Sequence, residues 1–310
     1  MNDKLKGLIR AVAENDIQKT KQWVKIIVES DKTKADRQFC KNIMNQLQAS
    51  SLNLMELPHD IKSILLMEDV SITFNENRYF LSEREEAVAQ EVLGMLETSQ
   101  KLSEMGISYL NSLMLHGESG TGKTLFGRYL AYNLGLPFAY MNFSNAISSY
   151  LGSTGKNINK AFEFIEKQKC VFMLDEVDAI GMTRGKEDVG EMARITIGLM
   201  QALDRVRNDT VIVGATNRLD MIDPALLRRF TISHEVVRLS ENEIFYMVIK
   251  YLNDVGVEYS DKNIRDYCRL NKTQALVIND VIRAIAKSIR FDSDFRLETL
   301  NESNACPFCA

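Results

Sequence analysis

The 310-residue chain contains 38 basic and 42 acidic residues, and 45% of its residues are hydrophobic. That apolar content is enough for buried cores in two or three compact units, which argues against intrinsic disorder. The slightly negative balance argues against a protein that mainly grips nucleic-acid phosphates over a broad surface. Apolar runs are too short to span a membrane and the N-terminus is unlike a secretory signal, so a soluble cytoplasmic protein without membrane contact is expected.

The chain has five cysteines. Cys40, Cys170 and Cys268 lie in segments with helical or strand character, where a reduced, buried thiol is the usual state. Cys306 and Cys309 have the spacing of half a zinc site, but the sequence provides no second pair of ligands. A tail signal, a redox pair and an incidental tail remain alternatives for this second pair.

The N-terminal region is predicted to be helical. Only four prolines occur in the chain, and apolar residues recur at helical spacing from Leu5 to about Leu66. These apolar side chains are the expected core of a helical domain over residues 1–67. The pattern does not indicate what this domain binds.

The texture of the sequence changes near residue 68. Residues 70–74, Val-Ser-Ile-Thr-Phe, alternate like a strand, and Ser82 and Glu85 have the spacing of a capping box that begins a helix. We therefore place the start of a second domain at residue 68 and its end at residue 238.

Short apolar segments alternate with helical stretches through this second domain. Because strands separated by helices form parallel sheets, we predict an α/β fold with helices on both faces of the sheet. The predicted strands are 113–116, 138–142, 171–174, 211–215 and 232–237.

A small helical unit follows the last predicted strand. Ser240 and Glu243 form a second capping-box match, and further helical stretches are expected over 263–270 and 273–290. The predicted domains are thus completed by a helical lid at 239–295 and a tail at 296–310.

The segment Gly-Glu-Ser-Gly-Thr-Gly-Lys-Thr matches every fixed position of the phosphate-loop pattern G-x-x-x-x-G-K-[ST]. It follows a predicted strand and begins a helix, whose free N–H groups and positive end suit phosphate. Lys123 would reach the β- and γ-phosphates of ATP and Thr124 would bind Mg²⁺. An ordinary glycine-rich turn is the alternative. The predicted nucleotide-binding residues are Gly117, Glu118, Ser119, Gly120, Thr121, Gly122, Lys123, Thr124 and Leu125.

Two further predicted strands end in polar side chains. Asp175 and Glu176 follow one strand, at the sheet edge where parallel sheets bind ligands, and Asn217 follows another. Asp175 would hold Mg²⁺, Glu176 would orient or deprotonate the attacking water, and Asn217 would position that water or touch the γ-phosphate. A solvated acidic strand end and a turn-forming asparagine are the alternatives.

The phosphate loop, Asp-Glu-Val-Asp at 175–178, Gly-Ala-Thr-Asn-Arg at 214–218 and Asp-Pro-Ala-Leu-Leu-Arg-Arg-Phe at 223–230 occur in the order and spacing of a known family. Over residues 68–290 the chain resembles the AAA ATPases, in the clade of protein-remodelling motors. The resemblance implies ATP hydrolysis with Mg²⁺ by a homo-oligomeric, hexameric ring with nucleotide at the subunit boundaries.

The resemblance also implies residues that act between subunits and on a client. Arg228 and Arg229 would be arginine fingers for the neighbouring subunit, although two arginines at a helix end can simply stabilise that end. Tyr150, Leu151 and Gly152 resemble the pore loop that grips a polypeptide, although an aromatic side chain can also pack over its own loop. The polar stretch 181–190 is a second pore loop or a surface loop.

The sequence departs from the family pattern at three places. Glu118 and Ser119 replace prolines, which we expect to be without consequence because these positions contribute mainly backbone. No Pro-Gly separates Arg228 from Arg229, so the main finger is undetermined. The lid segment 271–275 lacks the usual glycines, and no nucleotide-binding arginine is assigned there.

The leading interpretation is an ATP-driven ring that pulls a protein client through a central pore, with the N-terminal helical domain choosing the client. Narrower versions are a remodeller of HORMA-domain signalling proteins and a partner of a protease. A nucleic-acid motor or loader on the same core is the alternative, but no basic surface or helix-turn-helix is evident. A non-catalytic nucleotide switch would not need Glu176, Asn217 and the arginine pair.

Overall fold

The computed structural model describes residues 3–13, 61–107, 109–148, 154–180, 188–206 and 209–298, together with residues 20, 22–24, 26–27 and 57. The predicted pore loop at Tyr150, Leu151 and Gly152, most of residues 1–67 and the tail with Cys306 and Cys309 lie outside these described residues. Cys40 and most of the stretch 181–190 lie outside them as well.

The described residues form six strands and eleven α-helices, with three short 3₁₀ helices at Glu76–Arg78, Val177–Ile180 and Leu219–Met221. The strands are β1 (Leu66–Glu68), β2 (Asn111–His116), β3 (Phe138–Asn142), β4 (Val171–Asp175), β5 (Val211–Thr216) and β6 (Ile232–Glu235). The helices are α1 (Asp3–Ala13), α2 (Val70–Thr73), α3 (Glu83–Glu104), α4 (Lys123–Leu134), α5 (Phe143–Ser148), α6 (Thr154–Ile165), α7 (Asp188–Leu203), α8 (Pro224–Leu227), α9 (Glu241–Val255), α10 (Asp261–Cys268) and α11 (Gln274–Phe291).

One sheet organises the α/β part of the molecule, in the order β1-β3-β4-β5-β2-β6. Strands β2 to β6 pair in parallel, which confirms the predicted fold class, whereas β1 pairs with β3 in the antiparallel sense. Strand β1 was not predicted, because its three residues continue the helical spacing of the preceding region. The carboxyl ends of β2, β4 and β5 meet at one edge of the sheet.

Both faces of the sheet are covered by helices. Along β2, Leu113 and Leu115 pack into one core with side chains of α3 and α4, and Met114 packs into the other with side chains of α6 and α7. All three side chains are fully buried. A parallel strand buried on both faces is expected to read as a continuous apolar run, as this one does.

The strand-like interpretation of residues 70–74 was wrong, because Val70–Thr73 form the short helix α2. The Asp69 carboxylate caps this helix, accepting hydrogen bonds from the Ser71 backbone N–H at 3.1 Å and from its hydroxyl at 2.6 Å. The Phe74 N–H then donates to the Val70 carbonyl at 2.9 Å. A local side-chain cap therefore overrides the β propensity of the alternating residues.

The lid consists of α9, α10 and α11 around a third core that includes Val248, Tyr267 and Val281. Capping boxes at Ser82 and Ser240 begin α3 and α9, as predicted. Leu297, beyond the predicted end of the lid at residue 295, is also fully buried in this core.

Cys170 and Cys268 are buried free thiols, in agreement with the sequence prediction. Burial raises the pKa of Cys170 to about 12, so the thiol is protonated at neutral pH. Among the described residues, no helix is both long and apolar enough to cross a membrane.

Candidate functional site

The loop between β2 and α4 is shaped by glycines in the left-handed region. Gly117, Gly120 and Gly122 have φ values of 138°, 81° and 99°. A Cβ atom at Gly117 would lie 2.3 Å from the Val236 carbonyl oxygen, so a side chain at this position would clash with the backbone. The first N–H groups of α4 have no partners within the helix, and they offer an anion the site that phosphate loops use.

Lys123 is buried under this loop, with 7% of its surface exposed. Its Nζ donates to the carbonyl oxygens of Gly117 and Glu118, both at 2.8 Å, and to Asn217 Oδ1 at 2.7 Å. Burial lowers the pKa of Lys123, because the charged form loses water. The structure thus brings Asn217, from the end of β5, into contact with the lysine of the loop.

Thr124 and Asp175 also meet at this edge of the sheet. The Thr124 hydroxyl donates to Asp175 Oδ2 at 2.8 Å, and the Tyr140 hydroxyl approaches the same oxygen at 3.2 Å. Burial raises the pKa of Tyr140, with Asp175 adding to the shift. Hydroxyl and carboxylate oxygens are the ligands that Mg²⁺ prefers, so the two predicted metal ligands fit that ion.

Glu176 has a backbone conformation that is rare for a residue with a side chain. Its φ is 54°, and its N–H donates to Asp175 Oδ1 at 2.9 Å. The 3₁₀ turn Val177–Ile180 follows, with the Ala179 N–H donating to the Glu176 carbonyl at 3.0 Å. This bend ends β4 and places Glu176 on the wall of the cavity described below.

A buried hydrogen bond that the sequence analysis did not identify joins the ends of β4 and β5. The Thr216 hydroxyl donates to Asp178 Oδ1 at 2.7 Å and accepts from the Arg218 N–H at 2.9 Å. These contacts fix the backbone on either side of Asn217 and just beyond Glu176. Asp178 and Thr216 belong to the matched motifs, but only the sheet order shows that they are partners.

A cavity of about 520 Å³ opens between the phosphate loop and the lid. Lys123, Thr124, Asp175, Glu176 and Asn217 form its polar end. The opposite walls are mainly aromatic and aliphatic, which suits the flat base of a nucleotide. These walls, which sequence reasoning missed because their motifs are not distinctive, include Tyr79, Phe80, Val236, Leu239, Met247 and Ile278.

Gln274 at the start of α11 also lines the cavity. Its Nε2 donates to the Val237 carbonyl at 3.1 Å, while its Oε1 is buried without a hydrogen bond to any described residue. Since a buried acceptor is costly to leave unpaired, a ligand that donates a hydrogen bond would be favoured there. The lid therefore offers the cavity an amide oxygen at the segment where no arginine was assigned.

The two candidate finger residues differ in their surroundings. Arg229 donates to both carboxylate oxygens of Asp204, at 2.9 and 3.0 Å, and to the Ala225 carbonyl at 2.9 Å. Arg228 is exposed and makes no side-chain hydrogen bond or ion pair with a residue that the structure describes. Neither arginine lines the cavity of its own chain.

The expectation that Glu118 contributes only backbone was wrong. Its carboxylate accepts hydrogen bonds from Arg238 Nε at 2.7 Å and from Arg238 Nη2 at 2.6 Å. Arg238 Nη1 donates in turn to the Asn271 carbonyl at 2.8 Å, in the loop before α11. Sequence spacing alone could not pair residues 120 positions apart.

The loop, the paired side chains at the sheet edge and the covering lid define a nucleoside-triphosphatase site. Residues 113–238 match the profile of the ATPase family associated with various cellular activities (AAA). The chain therefore belongs to the AAA family of ATPases, which use ATP with Mg²⁺, through its domain at residues 113–238.

Curated relatives agree with this assignment. An uncharacterised AAA family ATPase, y4kL, of Sinorhizobium fredii is 28% identical over 215 residues, which cover 66% of this chain and 64% of the relative. The ATP-dependent zinc metalloprotease FtsH 1 of Salinibacter ruber is 35% identical over 176 residues, covering 53% of this chain and 26% of the relative. FtsH of Bacillus subtilis is 29% identical over 192 residues, covering 60% and 30%. The chain thus spans less than two thirds of the length of each.

Proposed function

We propose that this chain is one subunit of a hexameric AAA ring that hydrolyses ATP and uses the energy to pull on a protein client. The main support is the convergence at one cavity of Lys123, Asn217, Thr124, Asp175 and Glu176 from four separate segments. In this proposal residues 68–238 are the nucleotide-binding domain and residues 239–295 are its lid.

Each polar side chain would have a distinct task. Lys123 and the N–H groups of the loop bind the β- and γ-phosphates, replacing the carbonyl contacts that Lys123 makes here. Glu176 accepts a proton from the attacking water, and the Asn217 amide orients that water. Mg²⁺, held through Thr124 and Asp175, would neutralise phosphate charge.

The arginine pair supports catalysis between subunits. Arg228, exposed and without a partner among the described residues, is the better finger, because its guanidinium is free to reach a neighbour's phosphate. Arg229 is held within its own chain by Asp204 and Ala225, and it would position the segment that carries Arg228. An ATPase whose positive charge comes from the neighbour needs an assembled ring to turn over.

The client is proposed to be a protein. The printed names of the FtsH relatives describe ATP-dependent metalloproteases, and an ATPase linked to proteolysis acts on polypeptides. The sequence here has only His59, His116 and His234, so it holds no His-Glu-x-x-His zinc motif, and proteolysis is not proposed for it. Tyr150, Leu151 and Gly152 would grip the client, and the helical region before residue 68 would select it.

A nucleic-acid motor on the same core is the second candidate. Its support is limited to the shared fold, because the formal net charge is −4 and a motor that tracks nucleic acid needs a basic path. The HORMA-directed and protease-partnered versions are narrower forms of the protein-remodelling proposal.

The test uses Glu176→Gln, which removes the proton acceptor and keeps the size of the side chain. We expect ATP binding and ATP-dependent assembly to persist while phosphate release falls at least about a hundredfold, the usual range for loss of a general base. Equilibrium ATP binding, light scattering and phosphate release measure the three properties.

The same variant identifies the client when it is recovered with ATP from its native cells. Protein trapped by the Glu176→Gln ring, and lost when Tyr150→Ala is added, would support pulling through a pore. Normal phosphate release by Glu176→Gln would remove Glu176 from the mechanism, and trapped DNA or RNA would favour the second candidate.

A further inference from the structure

Glu118 places a carboxylate within the phosphate-binding loop. It lies between Gly117 and Gly120, and its backbone carbonyl accepts from Lys123 Nζ at 2.8 Å. Its negative charge also acts on the ammonium group of Lys123. A negative charge beside a site for phosphate opposes phosphate binding, so the loop needs a compensating cation in addition to Lys123.

Arg238 supplies that cation. The residue follows β6, and its Nε and Nη2 form a two-pronged contact with the Glu118 carboxylate at 2.7 and 2.6 Å. The hydrogen bonds from Arg238 hold the pKa of Glu118 below its ordinary value. A planar guanidinium matches a carboxylate with two parallel hydrogen bonds, which fixes both position and charge.

The same guanidinium reaches the lid. Arg238 Nη1 donates to the carbonyl of Asn271, which has a left-handed φ of 46°. Three residues later the lid touches the loop directly, because the Ala275 N–H donates to the Gly120 carbonyl at 3.0 Å. One side chain therefore contacts the phosphate loop and the segment that positions α11 over the cavity.

We infer that Arg238 is a positioning residue for ATP: it neutralises Glu118 and thereby lets the loop accept phosphates, while it holds the lid segment against the loop. The inference rests on the proposed function, since it takes residues 117–124 as the ATP-phosphate site. In this arrangement the cost of losing Arg238 comes mainly from the uncompensated charge of Glu118.

The test is a double-mutant cycle on the full chain with Glu176→Gln, so that ATP is not consumed. Arg238→Gln alone should weaken Mg²⁺–ATP binding by about tenfold at low salt, an effect of the size expected for one exposed charge near the phosphates. Glu118→Gln alone should bind as well as the parent or better. Arg238→Gln added to Glu118→Gln should change affinity by less than about twofold, because no unpaired carboxylate remains.

Two further readings separate charge from structure. The loss caused by Arg238→Gln should shrink as salt rises and should be larger for ATP than for ADP, since each depends on phosphate charge. Arg238→Lys, which keeps the charge but not the fork, should recover most of the affinity. Arg205→Gln is the matched control, because Arg205 pairs with Glu166 at 3.1 Å away from the cavity and should leave binding unchanged.

Equal losses from Arg238→Gln with and without Glu118→Gln would overturn the inference, as would losses that ignore salt and phosphate number. Those results would make Arg238 a purely structural link to the lid. Failure of the proposed function looks different: the parent protein itself would not bind ATP, or Lys123→Ala would bind it equally well.

Discussion

Glu176 combines a proposed chemical role with a strained backbone. A non-glycine residue with a φ of 54° costs about 1 kcal/mol or more relative to glycine, because the Cβ crowds the neighbouring carbonyl. Such strain concentrates at functional sites, where the fold enforces it. The bend is what turns the carboxylate from the end of β4 into the cavity.

This strain predicts an opposition between stability and activity at one position. Glu176→Gly should be more stable than Glu176→Ala by about 1 kcal/mol, because both lack the carboxylate and only glycine relieves the backbone. In a protein of this size the difference corresponds to roughly 2 to 4 °C in Tm. Thermal unfolding without nucleotide measures it, and neither variant should hydrolyse ATP. Equal Tm values for the two variants would mean that residue 176 is unstrained.

At the level of residues, the sequence predicted groups that act through local spacing and missed groups that act through tertiary pairing. The phosphate loop is contiguous, so its pattern and its flanking strand and helix were sufficient. Arg238 and Glu118 meet only because β6 lies beside β2 in the sheet. The same reason hid the Thr216–Asp178 hydrogen bond, whose two residues come from adjacent parallel strands.

Among the elements, helix α3 shows how a short sequence signal fixes a long structure. Ser82 accepts a hydrogen bond from the Glu85 N–H at 3.3 Å, and the Ser82 N–H donates to the Glu85 carboxylate at 3.2 Å. The helix then continues for 22 residues and packs Ala89 and Val92 against the sheet. Two of the helix's free N-terminal groups are thus satisfied by one pair of side chains.

Loss of this cap should be measurable. We expect Ser82→Ala to lower the free energy of unfolding by about 1 kcal/mol, the usual cost of removing an N-cap hydroxyl. Ser103→Ala, in the exposed last turn of the same helix, is the control and should be nearly neutral. Denaturant unfolding of both variants provides the comparison. An unfolding free energy unchanged by Ser82→Ala would show that α3 depends on packing alone.

Element boundaries were predicted well where burial decides them and poorly where local hydrogen bonds do. Strands β3 to β5 agree with the predictions to within one residue, because each is a short apolar run buried between helix layers. Residues 70–74 have similar apolar spacing, but the Asp69 cap and the packing of Phe74 against Tyr79 and Tyr132 select a helical turn. Periodicity over five residues cannot distinguish these outcomes.

For the whole molecule, the difference between Arg228 and Arg229 predicts behaviour that one chain cannot show. Arg228→Ala should bind ATP yet hydrolyse it poorly, and Lys123→Ala should fail to bind ATP. When the two inactive variants are mixed, hybrid rings contain interfaces with an intact loop from one subunit and an intact Arg228 from the next. Phosphate release should therefore recover in part.

The recovery has a clear control. Lys123→Ala mixed with Glu176→Gln should stay inactive, because both changes affect the same half of each interface and no hybrid interface has a complete loop and a complete acid. No recovery with Arg228→Ala, under conditions in which subunits exchange, would place the arginine's action within its own chain.

Strand β1 also determines how mechanical load would enter the molecule. Its three residues, Leu66–Glu68, attach the preceding chain to β3 at the rim of the sheet, and Leu57 and Ile61 anchor that chain in the core beneath. Arg128 on α4 pairs with Glu68 and ties this rim to the helix that begins at Lys123. Tension applied by a client bound to the N-terminal region would thus be carried by a three-residue antiparallel ladder, and one ion pair would connect that ladder to the helix behind the phosphate loop.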